Sequence, residues 1–237
     1  MRVRELSVFF PCYNEEANVE STVEHALAVL RERDLDRFEI IVVDDGSIDE
    51  TRVRADALAA QHGVRVLHHP QNQGYGAALR TGFAAAAMPW VFFTDGDGQF
   101  DLNEIDAFLA AAETADVVIG YRRERADHFG RRVNTWLWGL AVRSLFRLRV
   151  RDIDCAFKLV SRDALDRVGP LTASGAVIST ELLVGVRRAR IPMAQIGVHH
   201  YPRRKGSPTG ATVGVILRAL RELLELRVRT WRQGRGG

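Results

Sequence analysis

Trp90-Val91-Phe92-Phe93-Thr94-Asp95-Gly96-Asp97-Gly98-Gln99 is the stretch around which the rest of the chain is organised. Its first part has the length and residue types of a buried strand, a short apolar run of aromatic and β-branched side chains. The run stops at Asp95-Gly96-Asp97-Gly98. In an extended segment residues two apart share a side, so Asp95 and Asp97 can converge on one point. The glycines let the backbone turn sharply and leave room beside the acids. Two carboxylates held together repel unless a cation sits between them. Hard oxygen ligands suit Mg²⁺ or Mn²⁺, ions that bridge a small protein ligand set to substrate phosphates. Taken alone, the Asp-x-Asp pattern also fits a polar turn after a core strand.

Upstream of this stretch, strands alternate with helices. Residues 5–10 read as a first strand ended by Pro11, with Asn14 as a helix cap before an amphipathic run to about Arg33. A second strand at 38–43 finishes in Asp44-Asp45-Gly46-Ser47, and helix 51–62 leads to a third strand at 64–68. Asn72-Gln73-Gly74-Tyr75-Gly76 then opens an alanine-rich helix ending near Met88. Downstream follow a helix at about 102–113 and a fifth strand at 116–119. This alternation predicts an α/β fold with a mainly parallel central sheet flanked by helices on both faces. The polar clusters fall after strand ends, where such sheets bind ligands.

The character changes after Gly120. Arg122 to Arg132 reads as a basic loop, and residues 136–148 are apolar and tryptophan-rich with arginines interspersed. A strand is expected at 152–160, a helix at 180–190, a strand at 191–201, a basic loop at 203–210 and an amphipathic helix at 212–231 before a frayed tail. The expected division is a catalytic unit over 1–210, with a nucleotide-binding half at 1–120 and an acceptor half at 121–210. Residues 211–237 form an appended helix and tail.

Composition limits the options. With 237 residues, 46% hydrophobic and 27% charged, the chain is long enough for a sizeable core and ordinary enough for a soluble protein. The net charge of +3 is uneven: residues 122–151 hold nine arginines against Glu124 and Asp127. That excess suits an anionic substrate or an anionic membrane face. Cys12 and Cys155 are too few for a disulfide scaffold or a thiolate zinc site. No signal peptide, membrane-spanning run or nucleic-acid recognition module is visible. A cytoplasmic protein with peripheral contact to the membrane face is the expectation.

Asp44-Asp45 follows a buried run and precedes a turn, so its carboxylates suit a ribose or base, or a helix-capping turn. Asn72-x-Gly74-x-Gly76 before a helix resembles a phosphate loop but lacks the Gly-Lys-Ser/Thr ending, and fits a tight turn equally. His68-His69 and His199-His200 lack companion acids at ligand spacing and read as structural.

Together the motifs resemble the inverting glycosyltransferases of family two, which have the GT-A nucleotide-sugar fold. The matching residues are Phe10-Pro11-x-Tyr13-Asn14-Glu15-Glu16, Val43-Asp44-Asp45-Gly46-Ser47, Asn72-x-Gly74-x-Gly76 and Thr94-Asp95-x-Asp97-x-Gln99, in the family's order. Within it, Gly120-x-Arg122, Arg131-Arg132, Asp152-x-x-Cys155-x-Phe157-Lys158 and Arg203-Arg204-x-Gly206-Ser207 look like the dolichol- or polyprenyl-phosphate sugar transferases. The resemblance implies a donor that is a GDP- or UDP-linked sugar, lined by Pro11, Tyr13, Glu15, Asp44, Asp45 and Gly74. It implies Mg²⁺ or Mn²⁺ on Asp95, Asp97 and Gln99. It also implies a polyprenyl phosphate acceptor drawn by Arg122, Arg131, Arg132, Arg204, Lys205 and Ser207. A hydroxyl acceptor would need a base, for which Asp152 is the candidate. The alternatives are a soluble acceptor and a nucleotide-sugar-binding protein without turnover. Two positions depart from the family: Ser207 is followed by Pro208 where Gly-x-Ser-Lys is frequent, and Ala156 replaces a frequent glycine.

Overall fold

Aliphatic and aromatic runs form the strands, and their alternation decides which cluster each side chain joins. In the first strand, β1 (Glu5–Cys12), Leu6, Val8, Phe10 and Cys12 enter one buried cluster while Phe9 enters the other. The computed structural model describes residues 2–123, 139, 142–203 and 213–233. Beside β1 lie β2 (Arg37–Asp44), β3 (Arg65–His68), β4 (Trp90–Phe93), β5 (Val117–Arg122), β6 (Lys158–Ser161) and β7 (Met193–Val198). They make one seven-stranded sheet in the order β3-β2-β1-β4-β6-β5-β7. All pairings are parallel except those of β6, which runs antiparallel to both β4 and β5. The central sheet is therefore mainly parallel, as its sequence pattern implies.

Helices cover both faces. α1 (Val19–Arg31), α2 (Thr51–His62) and α4 (Ile105–Ala111) bury residues in the first cluster. α3 (Tyr75–Ala85), α5 (Arg162–Val168), α6 (Val177–Arg188) and α7 (Val213–Gln233) bury theirs in the second. Phe9 stacks on Phe93 at 5.4 Å between centroids, and Phe83 of α3 meets both edge-on. Such pairs add roughly 0.5–1.5 kcal/mol to area burial. Those rings seat α3 on the sheet beneath the loop that follows β4.

Several expectations are corrected. Pro11 lies within β1, paired with Val43. Pairing of β1 with β4 ends at Phe9, so the missing amide proton of Pro11 breaks no ladder bond there. Asn14 is no helix cap. It has φ 56°, and its side chain accepts from the Ile48 amide at 3.0 Å; the helix starts at Val19. The expected strand at 152–160 shrinks to Lys158–Ser161. Just ahead of it, the Lys158 amine gathers the Ile153 and Cys155 carbonyls, which curls the segment away from strand geometry. The expected helix at 102–113 is a 3₁₀ turn at Leu102–Glu104 followed by a short α4. α5 was not anticipated, although Ser161 caps it by accepting from the Ala164 amide at 3.1 Å.

Candidate active site

Every strand except β6 delivers its C-terminus to the same sheet edge, the edge at which open α/β sheets bind ligands. That edge collects Tyr13–Glu16 after β1, Asp44–Ser47 from β2, His68–His69 from β3, Asp95–Gln99 after β4 and Arg122 on β5. Tyr201–Arg203 arrive after β7, and Lys158 opens β6 there because that strand runs the other way.

Asp44 and Asp45 are buried and fully engaged. Asp44 accepts from the Ser47 amide at 2.9 Å and lies 2.8 Å from His68 Nδ1. Burial alone would raise its pKa, but the bonds from Ser47 and His68 prevail and hold it below the ordinary value. Asp45 accepts from the Gln73 amide (2.9 Å) and the Gly74 amide (2.8 Å), with His69 Nδ1 2.6 Å away. The second acid thus shapes the Asn72–Gly76 turn. Both histidines do have companion acids; the partners come from the next strand, so sequence spacing hid them. Gly46 has φ 69°, and a Cβ there would stand 2.2 Å from the Gln71 carbonyl carbon, which fixes glycine at this turn.

The loop after β1 is tied to the loop after β2. Backbone amides of Asn14 and Glu15 donate to Ser47 Oγ (3.0 Å) and Thr51 Oγ1 (2.7 Å). The buried Glu15 carboxylate takes Arg203 at 2.6 Å on both oxygens and Asn18 at 2.8 Å. Pro11 is buried and Tyr13 half-buried beside them.

Asp95 and Asp97 lie close enough for their charges to interact. Burial, then the charge of Asp97, pushes the Asp95 carboxyl up to about 7, while Lys158 and Arg122 pull in the other direction. Tyr75 donates its phenol to Asp95 Oδ1 at 3.0 Å. Asp97 accepts from the Gln99 amide at 3.1 Å, and Arg203 comes within 3.9 Å of its other oxygen. A Cβ on Gly96 would be 2.5 Å from Cys12 Sγ, so glycine lets the loop lie against β1. Gln99 donates its side-chain N–H to the Tyr201 carbonyl at 2.8 Å, fastening the loop to the segment after β7.

The donor set fits a divalent cation that shares its ligands with a substrate. Two hard carboxylates repel one another here, and the described residues hold no group of three or more His, Cys, Asp or Glu at ligand spacing. Mg²⁺ and Mn²⁺ are commonly held by one or two carboxylates, with water and phosphate oxygens completing the shell.

Arg122 and Asp152 form a two-point pair at 2.7 and 3.0 Å, both largely buried. Each Asp152 oxygen thereby accepts from the guanidinium. Arg131, Arg132, Arg204, Lys205 and Ser207 lie outside the described residues. Two residues at this edge escaped sequence reasoning as site candidates, Tyr75 and the fully buried Lys158, whose amine also sits 5.5 Å from the Phe93 ring centre. A lysine inside an apolar strand was the available signal for the second. Nothing in the sequence flagged the first.

The family model described as glycosyl transferase family 2 matches residues 7–169. The chain belongs to that family. As a family 2 transferase it is 28% identical over 214 residues to dolichyl-phosphate beta-glucosyltransferase of Dictyostelium discoideum, covering 82% of this chain and 65% of the relative. It is 28% identical to dodecaprenyl-phosphate galacturonate synthase of Rhizobium johnstonii, covering 85% of this chain and 60% of the relative. The chain spans less than two thirds of the length of these relatives. Glucosyl-3-phosphoglycerate synthase of Mycobacterium tuberculosis, solved with Mn²⁺, UDP and phosphoglyceric acid, matches with TM-score 0.70 and 25% identity. That match covers 94% of this chain and 78% of the other. This family 2 domain therefore has the GT-A-like architecture.

Proposed function

We propose that this domain moves a sugar from a nucleoside-diphosphate sugar to a polyprenyl phosphate of the dolichyl type, inverting the anomeric carbon. The observation that carries the reading is the Asp95–Asp97 pair, placed after β4 within electrostatic reach of Arg122. The names of the relatives support the lipid acceptor, and the UDP and metal ions in the solved relatives support a UDP-linked donor and a divalent cation. GDP-linked donors remain an arm of the test.

In this reading Asp95 and Asp97 hold Mg²⁺ or Mn²⁺, with Gln99 acting as the fastener of their loop. When bound, the cation neutralises charge developing on the departing diphosphate. Pro11, Tyr13 and Glu15 line the nucleoside. Asp44, Asp45 and Gly74 fix the walls around it. Arg122 takes the acceptor phosphate through its guanidinium, oriented by Asp152, with Arg131, Arg132, Arg204, Lys205 and Ser207 completing that subsite. A phosphate monoester is already ionised near neutral pH, so no strong base is required. This agrees with an Asp152 whose oxygens both accept from Arg122. Residues 1–120 then serve the donor and 121–210 the acceptor, with 211–237 appended.

The domain rests on the cytoplasmic membrane face through α7. Leu220, Leu224, Val228 and Trp231 are exposed at helical spacing, with Arg221 and Arg227 also exposed on that helix. No described helix is long and apolar enough to cross a membrane. Of the residues at 136–148 that suit a membrane surface in the sequence, Val142 and Phe146 are core and Leu145 is partly exposed, while Trp136, Trp138 and Leu140 lie outside the described residues.

A soluble acceptor is the second reading, favoured by the likeness to a synthase solved with phosphoglyceric acid. A hydroxyl acceptor would need Asp152 to take a proton while paired with Arg122, whose charge favours the ionised carboxylate. Labelled UDP- and GDP-sugars with Mn²⁺, offered polyprenyl phosphate or 3-phosphoglycerate, separate these readings. Label in the organic phase supports the lipid acceptor, and label only in a charged aqueous product supports the second. Donor binding without transfer to any acceptor would leave a binding protein.

A further inference from the structure

Tyr75 opens α3 between two glycines whose backbones have no slack. Gly74, at φ 99°, is held by Asp45 through its amide, and a Cβ there would meet the Ser174 carbonyl oxygen at 2.6 Å. Gly76 donates its amide to that same oxygen at 2.8 Å, and a Cβ there would meet the Ala173 oxygen at 2.4 Å. The tyrosine backbone is thus clamped between the β2 loop on one side and the segment before α6 on the other. From this fixed base the phenol reaches across to the loop after β4 and donates to Asp95 Oδ1 at 3.0 Å.

The clamping segment is itself held from α7. Glu222 accepts from the Ser174 amide (3.0 Å), the Ser174 hydroxyl (2.7 Å) and the Gly175 amide (3.2 Å). Glu181 of α6 accepts from the Thr172 and Ala173 amides at 2.8 Å each, and Arg229 of α7 pairs with Glu181 at 2.8 Å. A continuous set of short polar contacts therefore runs from α7 through residues 172–175 and Gly76 to Tyr75 and Asp95.

We infer that Tyr75 is a positioning residue that orients Asp95 toward the cation, and that Glu222 on α7 sets its position from outside the site. The inference rests on the reading of Asp95 and Asp97 as cation ligands. A hydrogen bond on one carboxylate oxygen fixes the carboxylate's rotation and leaves the other oxygen as the one presented to the metal. Groups in this role typically change metal affinity tenfold to a hundredfold when removed. Because Glu222 sits on the helix carrying the exposed apolar stripe, anything that displaces α7 reaches Asp95 by this route.

The test uses the full chain and UDP as the probe, titrated by calorimetry in EDTA and again in Mn²⁺. Tyr75→Phe removes only the donating oxygen. The expected result is an unchanged UDP affinity in EDTA and a Mn²⁺-dependent gain reduced about tenfold. A merely structural role would shift both titrations or the melting temperature alone. Glu222→Gln should reduce the gain less, in the same direction, and the double variant should bind no worse than Tyr75→Phe, since both act on one contact. Full retention of the Mn²⁺ gain in Tyr75→Phe overturns the inference; a Glu222→Gln effect confined to melting temperature overturns its α7 half. Asp97→Asn separates this from failure of the underlying reading. If the wild type shows no Mn²⁺ gain, both fall. If Asp97→Asn loses the gain while Tyr75→Phe keeps it, the cation ligands stand and only the role of Tyr75 is lost.

Discussion

Asp97 and Asp44 are both acids at strand ends, yet the structure puts them to opposite uses. Burial, and then the nearby charge of Asp97, raises the Asp95 pKa to about 7, so the pair gains from an added positive charge. Asp97→Asn keeps the shape and removes one charge. Mn²⁺-dependent turnover should fall about 100-fold in initial-rate assays, the scale of losing one electrostatic contact to a transition state; unchanged turnover rejects the pair as cation ligands. Asp44 is instead supplied with partners, and its depressed pKa makes it a source of stability. A depressed carboxyl contributes stability above its unfolded pKa of about 3.9, and that contribution is lost as pH falls through the folded value. Asp44→Asn should cost about 3 kcal/mol near neutral pH, and the difference from wild type in urea unfolding should shrink between about pH 5 and 3. A difference that stays constant over that window would show the loss to be steric. Both acids could be picked out in the sequence as strand-end carboxylates. Their separate roles could not, because the groups that decide them come from other elements: His68 reaches Asp44, and Tyr75 reaches Asp95, the partner of Asp97.

At the scale of the element, α7 is buried along one face and carries exposed apolar residues along another. Leu223 and Leu226 are buried against the second cluster, while Leu224 is 64% exposed one residue along. Leu223→Ala should destabilise by about 2–4 kcal/mol through lost burial and the cavity left behind. Leu224→Asp should change thermal stability by about 0.5 kcal/mol or less, yet reduce co-flotation with anionic vesicles. Equal flotation of wild type and Leu224→Asp would remove α7 from the membrane. The amphipathic period of this helix was plain in the sequence, but periodicity identifies an apolar stripe without saying what covers it. The segment at 152–160 failed for another reason. Its residue types suit a strand, but Lys158 needs carbonyl partners when buried, and the chain curls to supply them.

At the scale of the molecule, the described strands form one sheet with its halves interleaved: β6, from beyond residue 121, is inserted between β4 and β5. This places Lys158 and Asp152 beside the edge built by the first half. Charge is arranged accordingly, with carboxylates on one side of the edge and Arg122 and Arg203 close by. UDP with Mn²⁺ at about 100 times its dissociation constant should stabilise the fold by about 2.7 kcal/mol, a Tm rise of roughly 5–10 °C that EDTA abolishes. A rise of the same size in EDTA would mean that the nucleotide binds without the cation.

The sequence by itself determined the alternation of strands and helices, hence a mainly parallel sheet, and the acid-bearing turns, because hydrophobic period and turn chemistry are local. Only the tertiary structure decided which way β6 runs, which acid each histidine meets and what holds Asp95 in place. Those depend on contacts between residues far apart in the chain, as in Tyr75 with Asp95 and Glu15 with Arg203. Local pattern carries no record of such contacts; they arise when the sheet closes around its core.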